Sequence, residues 1–316
     1  MKRCLSLLMA LALLLAAVPL MGLAQQEVPD IQALPPDQIP PTPTGMHHYL
    51  LVCMDSWAAR MSRLGYSDGM VLVTVDEVAG RIIATSFIRD MLVLHPDEQP
   101  GRLTYIVKEY GMQGLLDTIN RHFGLQIEKY ILMDWSQVQS IVDAVGGVQL
   151  TVTDREAGYL KRYAISPKST TPAMNGAGNY HFTGHAAVIY MRTRRVPALN
   201  GDPHDIGRTY RTRLVLSSIA DSLRDISYEK ARNILDSVMN NILSTNMTTA
   251  DMLQAFNMVF ALRGTPVEMF RLPVDGTFRS FDYFGGASQL MDFAPNREAL
   301  HDFLFDHSFV VNDINE

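Results

Sequence analysis

Between positions 192 and 213 the chain carries six arginines, Arg192, Arg194, Arg195, Arg208, Arg211 and Arg213, and no lysine. A guanidinium is a flat fork of donors that matches two phosphate oxygens at once and stays charged, whereas a lysine is a more hydrated point charge. The chain as a whole has 27 Lys and Arg against 33 Asp and Glu, a formal charge of -6, so such a concentration reads as an anion pocket rather than a solvated face. Arg208 and Arg211, three apart, fall on one side of a helix. Arg192 and Arg194 point the same way only in extended backbone. A second constellation lies upstream, where Asp55 ends an apolar run, Asp68 begins the next and Arg89-Asp90 follow the third. An aspartate at a strand end ordinarily caps a turn. Two of them at neighbouring strand ends can also share a magnesium or manganese ion, which would bridge them to substrate phosphates. Joined to the arginines, they describe a metal-assisted site for a pyrophosphate.

The elements that must hold these groups follow from apolar period and length. His48–Met54, Met70–Asp76, Arg81–Phe87 and Val148–Thr153 are short runs rich in Val, Ile and Leu and read as strands. Helical spacing marks Gly114–Phe123, Ser136–Val145, Gly184–Met191, Arg208–Leu223, Glu229–Ile242, Thr249–Leu262 and Asn296–Phe305, with Thr249 or Asn296 as caps and Gly146-Gly147 as a stop. Strands alternating with helices give an α/β fold, with helices covering a central sheet.

Composition bounds the rest. With 47% apolar and 19% charged residues over 316 positions, the chain buries a sizeable core. The net charge excludes a general nucleic-acid binder. Met1-Lys2-Arg3 followed by an uncharged apolar run to Ala24 is an export signal, cleaved after Gly22-Leu23-Ala24 or kept as an anchor. Residues 25–45 carry Pro29, Pro35, Pro36, Pro40, Pro41 and Pro43 and read as an extended spacer, and residues 46–316 as one domain. Cys4 and Cys53 are the two cysteines; once Cys4 leaves with a leader, neither a disulfide nor a cysteine zinc cluster can form. His181 and His185 lack zincin spacing, Cys53 lies inside an apolar strand, and neither a Gly-x-Ser-x-Gly elbow nor a Walker loop occurs.

The order of these pieces resembles the LytR-CpsA-Psr family. The segments are Leu51-Val52-Cys53-Met54-Asp55-Ser56, Ser67-Asp68-Gly69-Met70, Ser86-Phe87-Ile88-Arg89-Asp90, Val142–Val148 with its Gly-Gly junction, Gly184–Arg194, and Asp205-Ile206-Gly207-Arg208-Thr209-Tyr210-Arg211. The resemblance implies an extracytoplasmic α/β/α sandwich with a central mixed sheet. It would transfer a glycopolymer from a polyprenyl-pyrophosphate carrier to peptidoglycan, at a membrane and without nucleic acid. It further implies Asp55, Asp68, Arg89 and Arg208 as catalytic residues, with Arg63, Arg89, Arg192, Arg194, Arg208 and Arg211 holding the pyrophosphate. Asp55 and Asp68 would hold magnesium, with Asp205 a third candidate ligand, and an apolar groove between sheet and helices would take the prenyl chain. Tyr66, Ile88, Thr104 and Thr212 depart from the family's Arg, Pro, Asn and Gln. The departures at Tyr66 and Thr212 leave as a rival a protein that binds lipid-linked glycan without turnover; a second rival, a transcription regulator, follows from the domain's older label as a transcriptional attenuator and is opposed by the export signal and charge.

Overall fold

The computed structural model describes residues 30–56, 64–164, 171–240 and 242–305. The leader and Arg63 lie outside them. In chain order the elements are β1 (Met46–Met54), β2 (Ser67–Asp76), β3 (Arg81–Phe87), β4 (Leu92–Leu94), β5 (Pro100–Arg102), α1 (Ile106–Phe123, kinked at Gly111), β6 (Lys129–Asp134), α2 (Trp135–Ala144), β7 (Val148–Val152), α3 (Asp154–Ala164) and β8 (Gly178–Phe182). There follow α4 (Gly184–Met191), α5 (His204–Ser222), α6 (Tyr228–Met239), β9 (Ser244–Thr245), α7 (Thr249–Ala261), β10 (Val267–Leu272), β11 (Phe278–Tyr283), β12 (Gly286–Met291) and α8 (Phe293–Phe305).

Six strands form a mixed central sheet in the order β10-β3-β2-β1-β6-β9. β2 runs antiparallel to both β1 and β3, while β6 is parallel to β1 and β10 to β3. The carboxyl ends of β1, β3, β6 and β10 therefore share one edge with the start of β2, which brings Asp55, Asp68 and Arg89 together. Strand period decides which layer each residue enters. Leu50, Val52 and Met54 join a core with Leu115, Ile119 and Phe123 of α1 and Leu300 and Leu304 of α8. Leu51 and Cys53 face the opposite layer, with Val138 and Val142 of α2, Val188 of α4 and Val215 of α5.

Local chemistry sets the helix ends. Asp134 caps α2 by accepting from the amides of Ser136 and Gln137, while the Gln137 side chain accepts from the Asp134 amide. Thr248, not Thr249, caps α7, with Asp251 reciprocating. Asn296 is not a cap either: it is buried inside α8, where its side chain accepts from Val274 N and donates to the Asp292 carbonyl. Gly146 and Gly147 stop α2, both at φ +90°, a conformation only glycine adopts cheaply.

Two expectations need correction. From Asp30 onward the proline-rich segment does not stand clear of the domain. Ile31 is buried in the α1 core, and Leu34 N donates to Arg121 O at 2.8 Å, so one apolar side chain and one backbone bond anchor a stretch that proline content alone marks as a spacer. The strand over Val148–Thr153 exists, but it pairs with β8 in a sheet of two rather than joining the central one.

Candidate active site

Six side chains singled out above line one cleft of about 320 Å³ at the strand-end edge: Asp55, Asp68, Arg89, Arg192, Arg194 and Arg208. Asp68 is its centre. Arg208 Nη1 lies 3.1 Å from Asp68 Oδ1, Arg208 Nη2 donates to the Asp68 carbonyl at 2.9 Å, and Arg89 Nη1 pairs with the same Oδ1. Burial pushes the Asp68 carboxyl up, but the two guanidinium groups outweigh it and hold the acid below the usual carboxylate range. Arg192 leaves the end of α4 over the Trp135 ring, 5.4 Å from its centroid, and donates to Asp55 Oδ1 at 3.0 Å. Beside the cleft, burial raises the Asp90 carboxyl, only partly offset by Arg89.

The residues sort differently from their spacing. Asp205 faces three guanidinium groups: Arg208 Nη2 at 3.0 Å, Arg89 Nε at 3.3 Å and Arg194 Nη1 at 3.7 Å. It positions arginines, and the candidate role as a metal ligand does not fit that surrounding. Arg211 is not in the cleft. With 0% exposure it donates to Glu156 Oε1 at 2.7 Å and to the carbonyls of Thr193, Val196 and Pro197. Its donors are used inside the fold, and its assignment to pyrophosphate is overturned. Arg208 and Arg211 do lie on one helix, but the first reaches β2 and the second reaches α3.

Sequence reasoning missed Trp135, Tyr159 and Glu156. Tyr159 lines the cleft. Glu156 accepts from Thr153 N at 2.9 Å while Thr153 Oγ1 accepts from Glu156 N, a Thr-x-x-Glu capping box that was legible in the sequence. Its pairing with Arg211 was not.

A second compartment of about 240 Å³ opens beside the first and shares Asp68 and Arg208 with it. Its floor is the sheet face of Leu51, Val71, Ile131 and Met133, and its roof comes from Val138 and Ile141 of α2, Val215 and Ile219 of α5 and Val238 of α6. Leu51 and Ile131 are only partly buried, although they sit in central strands, because this hollow lies over them.

Among the described residues, no group of three or more His, Cys, Asp or Glu comes together that could hold a metal. Asp55 and Asp68 on one cleft fit a hard dication only with phosphate oxygens completing its shell, which is how magnesium is ordinarily held. Arg89 Nε is buried without a hydrogen bond of its own and lies at ion-pair distance from Asp205 Oδ1, 3.3 Å, and Asp90 Oδ2, 3.5 Å.

Residues 33–298 match the LytR_cpsA_psr family. The chain belongs to the LytR-CpsA-Psr family. Biofilm regulatory protein A of Streptococcus mutans is 30% identical over 192 residues, 58% of this chain and 45% of that protein. The polyisoprenyl-teichoic acid–peptidoglycan teichoic acid transferase TagU of Oceanobacillus iheyensis is 28% identical over 186 residues, 57% of this chain and 53% of its own. The chain thus spans about half the length of these curated relatives. Among solved structures, TagT of B. subtilis superposes with a TM-score of 0.64 at 20% identity, over 86% of this chain and 96% of that one, and TagT bound to LI-WTA with 0.66 at 20%, over the same shares. This likeness establishes the α/β/α fold with its central mixed sheet.

The departures from the LytR-CpsA-Psr pattern have visible consequences. Tyr66 is exposed, packs on Tyr105 and accepts from Lys108 Nζ at 3.3 Å. Ile88 is buried in the α1 core. Thr104 donates to Ser67 O at 2.8 Å while its amide donates to Arg89 O at 2.9 Å, which ties the start of β2 to the arginine loop. Thr212 turns its hydroxyl back onto Arg208 O at 3.1 Å and offers no donor to the cleft.

Proposed function

We propose that this LytR-CpsA-Psr domain moves a glycopolymer from a polyprenyl-pyrophosphate carrier onto a peptidoglycan hydroxyl, outside the cytoplasm. The observation that carries the reading is the shared wall: an arginine-rich cleft and an apolar hollow lie side by side with Asp68 and Arg208 lining both. A ligand with a diphosphate head and a hydrocarbon tail is the chemistry that fits both. The names of TagU and of TagT bound to LI-WTA support the same class.

In this reading the acceptor hydroxyl attacks the phosphorus that carries the glycan, the bond from that phosphorus to the bridging oxygen breaks, and polyprenyl phosphate leaves. Arg89, Arg192, Arg194 and Arg208 face the phosphates and neutralise charge as it moves to the leaving group. Asp55, less buried than Asp68 and paired with one arginine rather than two, is the better placed to take the hydroxyl proton. Asp68, held below the usual carboxylate range by Arg208 and Arg89, is a poor base. Magnesium or manganese at Asp55 and Asp68, when bound with the substrate, would add Lewis-acid stabilisation of the same oxygens. The leader is proposed to bring the domain to the membrane that holds such a carrier.

The test uses the full chain with a polyprenyl-pyrophosphate oligosaccharide, peptidoglycan strands and magnesium, scoring labelled glycan on the strands. Transfer lost with Arg208→Ala and with a chelator is the expected result. Lipid binding without transfer, beside a working family member, would favour the binding-only reading that Tyr66 and Thr212 motivate.

A further inference from the structure

One pair of cations, the buried Arg213 and the partly buried Arg271, plays no part in the cleft. Arg213 of α5 is 5% exposed, and among the described residues it has no carboxylate within ion-pair distance. Its Nη1 donates to Ser86 Oγ at 2.5 Å, and its Nε, also buried, has no partner. Ser86 of β3 stands in register with Arg271 of β10, so Arg271 projects from the same sheet face. Arg271 pairs through Nη2 with Asp275, a carboxylate that is 82% exposed, while its Nη1 is buried without a partner. Burial and then the charge of Arg271 push the Arg213 guanidinium down to about 10; Asp202 and Tyr210 pull the other way, Tyr210 with its ring centroid 5.7 Å from the guanidinium carbon and neither as an ion pair.

Two guanidinium groups with inward donors and no buried counter-charge are an unstable arrangement unless an anion completes it. The location narrows what that anion is. Register across the sheet gives one row, Ile131, Leu51, Val71, Ser86, Arg271. The first three members and Ser86 line the apolar hollow, so its floor turns polar at Ser86 and cationic at Arg271. We propose that Arg213, Arg271 and Ser86 form an oxyanion site of their own for a phosphate group, at the β3–β10 side of the hollow and separate from the Asp68 cleft. The exposed Asp275 occupies the outer end of Arg271 and gives way when the phosphate enters. The phosphate can come from solution or from the head of a phosphorylated lipid whose tail lies along the row. The inference does not depend on the transferase reading.

Calorimetric titration of the full chain in phosphate-free buffer, first with inorganic phosphate and then with farnesyl phosphate, tests it. Wild type should show two phosphate sites. Arg213→Met and Arg271→Met, on separate elements, should each weaken one of them at least about tenfold, the loss of a charge-assisted bond, and spare the other. Arg208→Ala should do the converse. Without phosphate, Arg213→Met should melt no lower than wild type, because it removes an uncompensated buried charge. Displacement of phosphate from the Arg213 site by farnesyl phosphate would identify a lipid head, and binding of inorganic phosphate alone would identify the free ion; both support the site. Titrations unchanged in both methionine variants, with Arg213→Met melting lower through loss of the Ser86 bond, would overturn it. One phosphate site abolished by Arg208→Ala alone would overturn it as well, while leaving the cleft reading intact.

Discussion

Replacing Glu156 by glutamine separates a residue that holds the site from one that binds in it. Glu156 and Arg211 are both at 0% exposure, joined by a 2.7 Å bond. Arg211 also gathers the carbonyls of Thr193, Val196 and Pro197, the segment between the cleft arginines and α5. Glu156→Gln keeps the shape and removes the counter-charge, so a guanidinium is left buried and uncompensated. Breaking such a pair from one side costs about 3–5 kcal/mol, which for a domain of this size lowers Tm by roughly 6–20 °C. The double variant Glu156→Gln/Arg211→Met removes the stranded charge and should recover a large part of that loss. Urea unfolding of the three variants gives the free energies, and diphosphate titration of the folded single variant gives the second readout. If Arg211 is a scaffold, affinity falls only as far as Arg192 and Arg194 lose their placement. A loss of stability under about 1 kcal/mol, together with abolished diphosphate binding, would refute the reasoning and return Arg211 to the cleft.

Four further outcomes follow from the geometry. Arg208→Ala should weaken diphosphate affinity by more than about 1 kcal/mol, read by calorimetry. His48 and His122 have pKa values lowered to about 4, first by burial. Both are neutral when folded, so stability is full above the unfolded value near 6.5 and falls as pH drops from about 6.5 to about 4, by up to roughly 3 kcal/mol for each; denaturant unfolding at steps across that window measures it, and His122→Gln should flatten the slope. Ile219→Trp should fill the apolar hollow and abolish the preference for long over short prenyl diphosphates in competition binding, with the short ligand unaffected. Gly184→Ala places a Cβ 2.1 Å from the Gln139 carbonyl oxygen and should lose about 1–3 kcal/mol in urea unfolding, because α4 can no longer lie against α2.

Legibility varied with the kind of information each feature needs. The first three strands were readable because long β-branched runs declare themselves, and Asp55, Asp68 and Arg89 at their ends came with them. β6 was missed, although it lies beside β1 in the central sheet: Lys129-Tyr130-Ile131 is partly exposed, and the segment shows no apolar alternation. α3 was missed because so few of its residues are apolar. The arginine cluster was found by composition, but composition could not say that a buried glutamate 55 positions upstream claims Arg211, since three-residue spacing fixes a helix face and not its partner. The proline tract failed for a related reason: proline predicts stiffness, whereas Ile31 and Leu34 decide attachment.

The wall made by Asp68 and Arg208 has a consequence for any ligand with a head and a tail. Each end, once seated, holds the other at a high effective concentration, so the two compartments act as a chelate whose strength exceeds what either fragment would suggest. A head group offered without its tail, or a tail without its head, would therefore sample the protein as a weak and short-lived visitor.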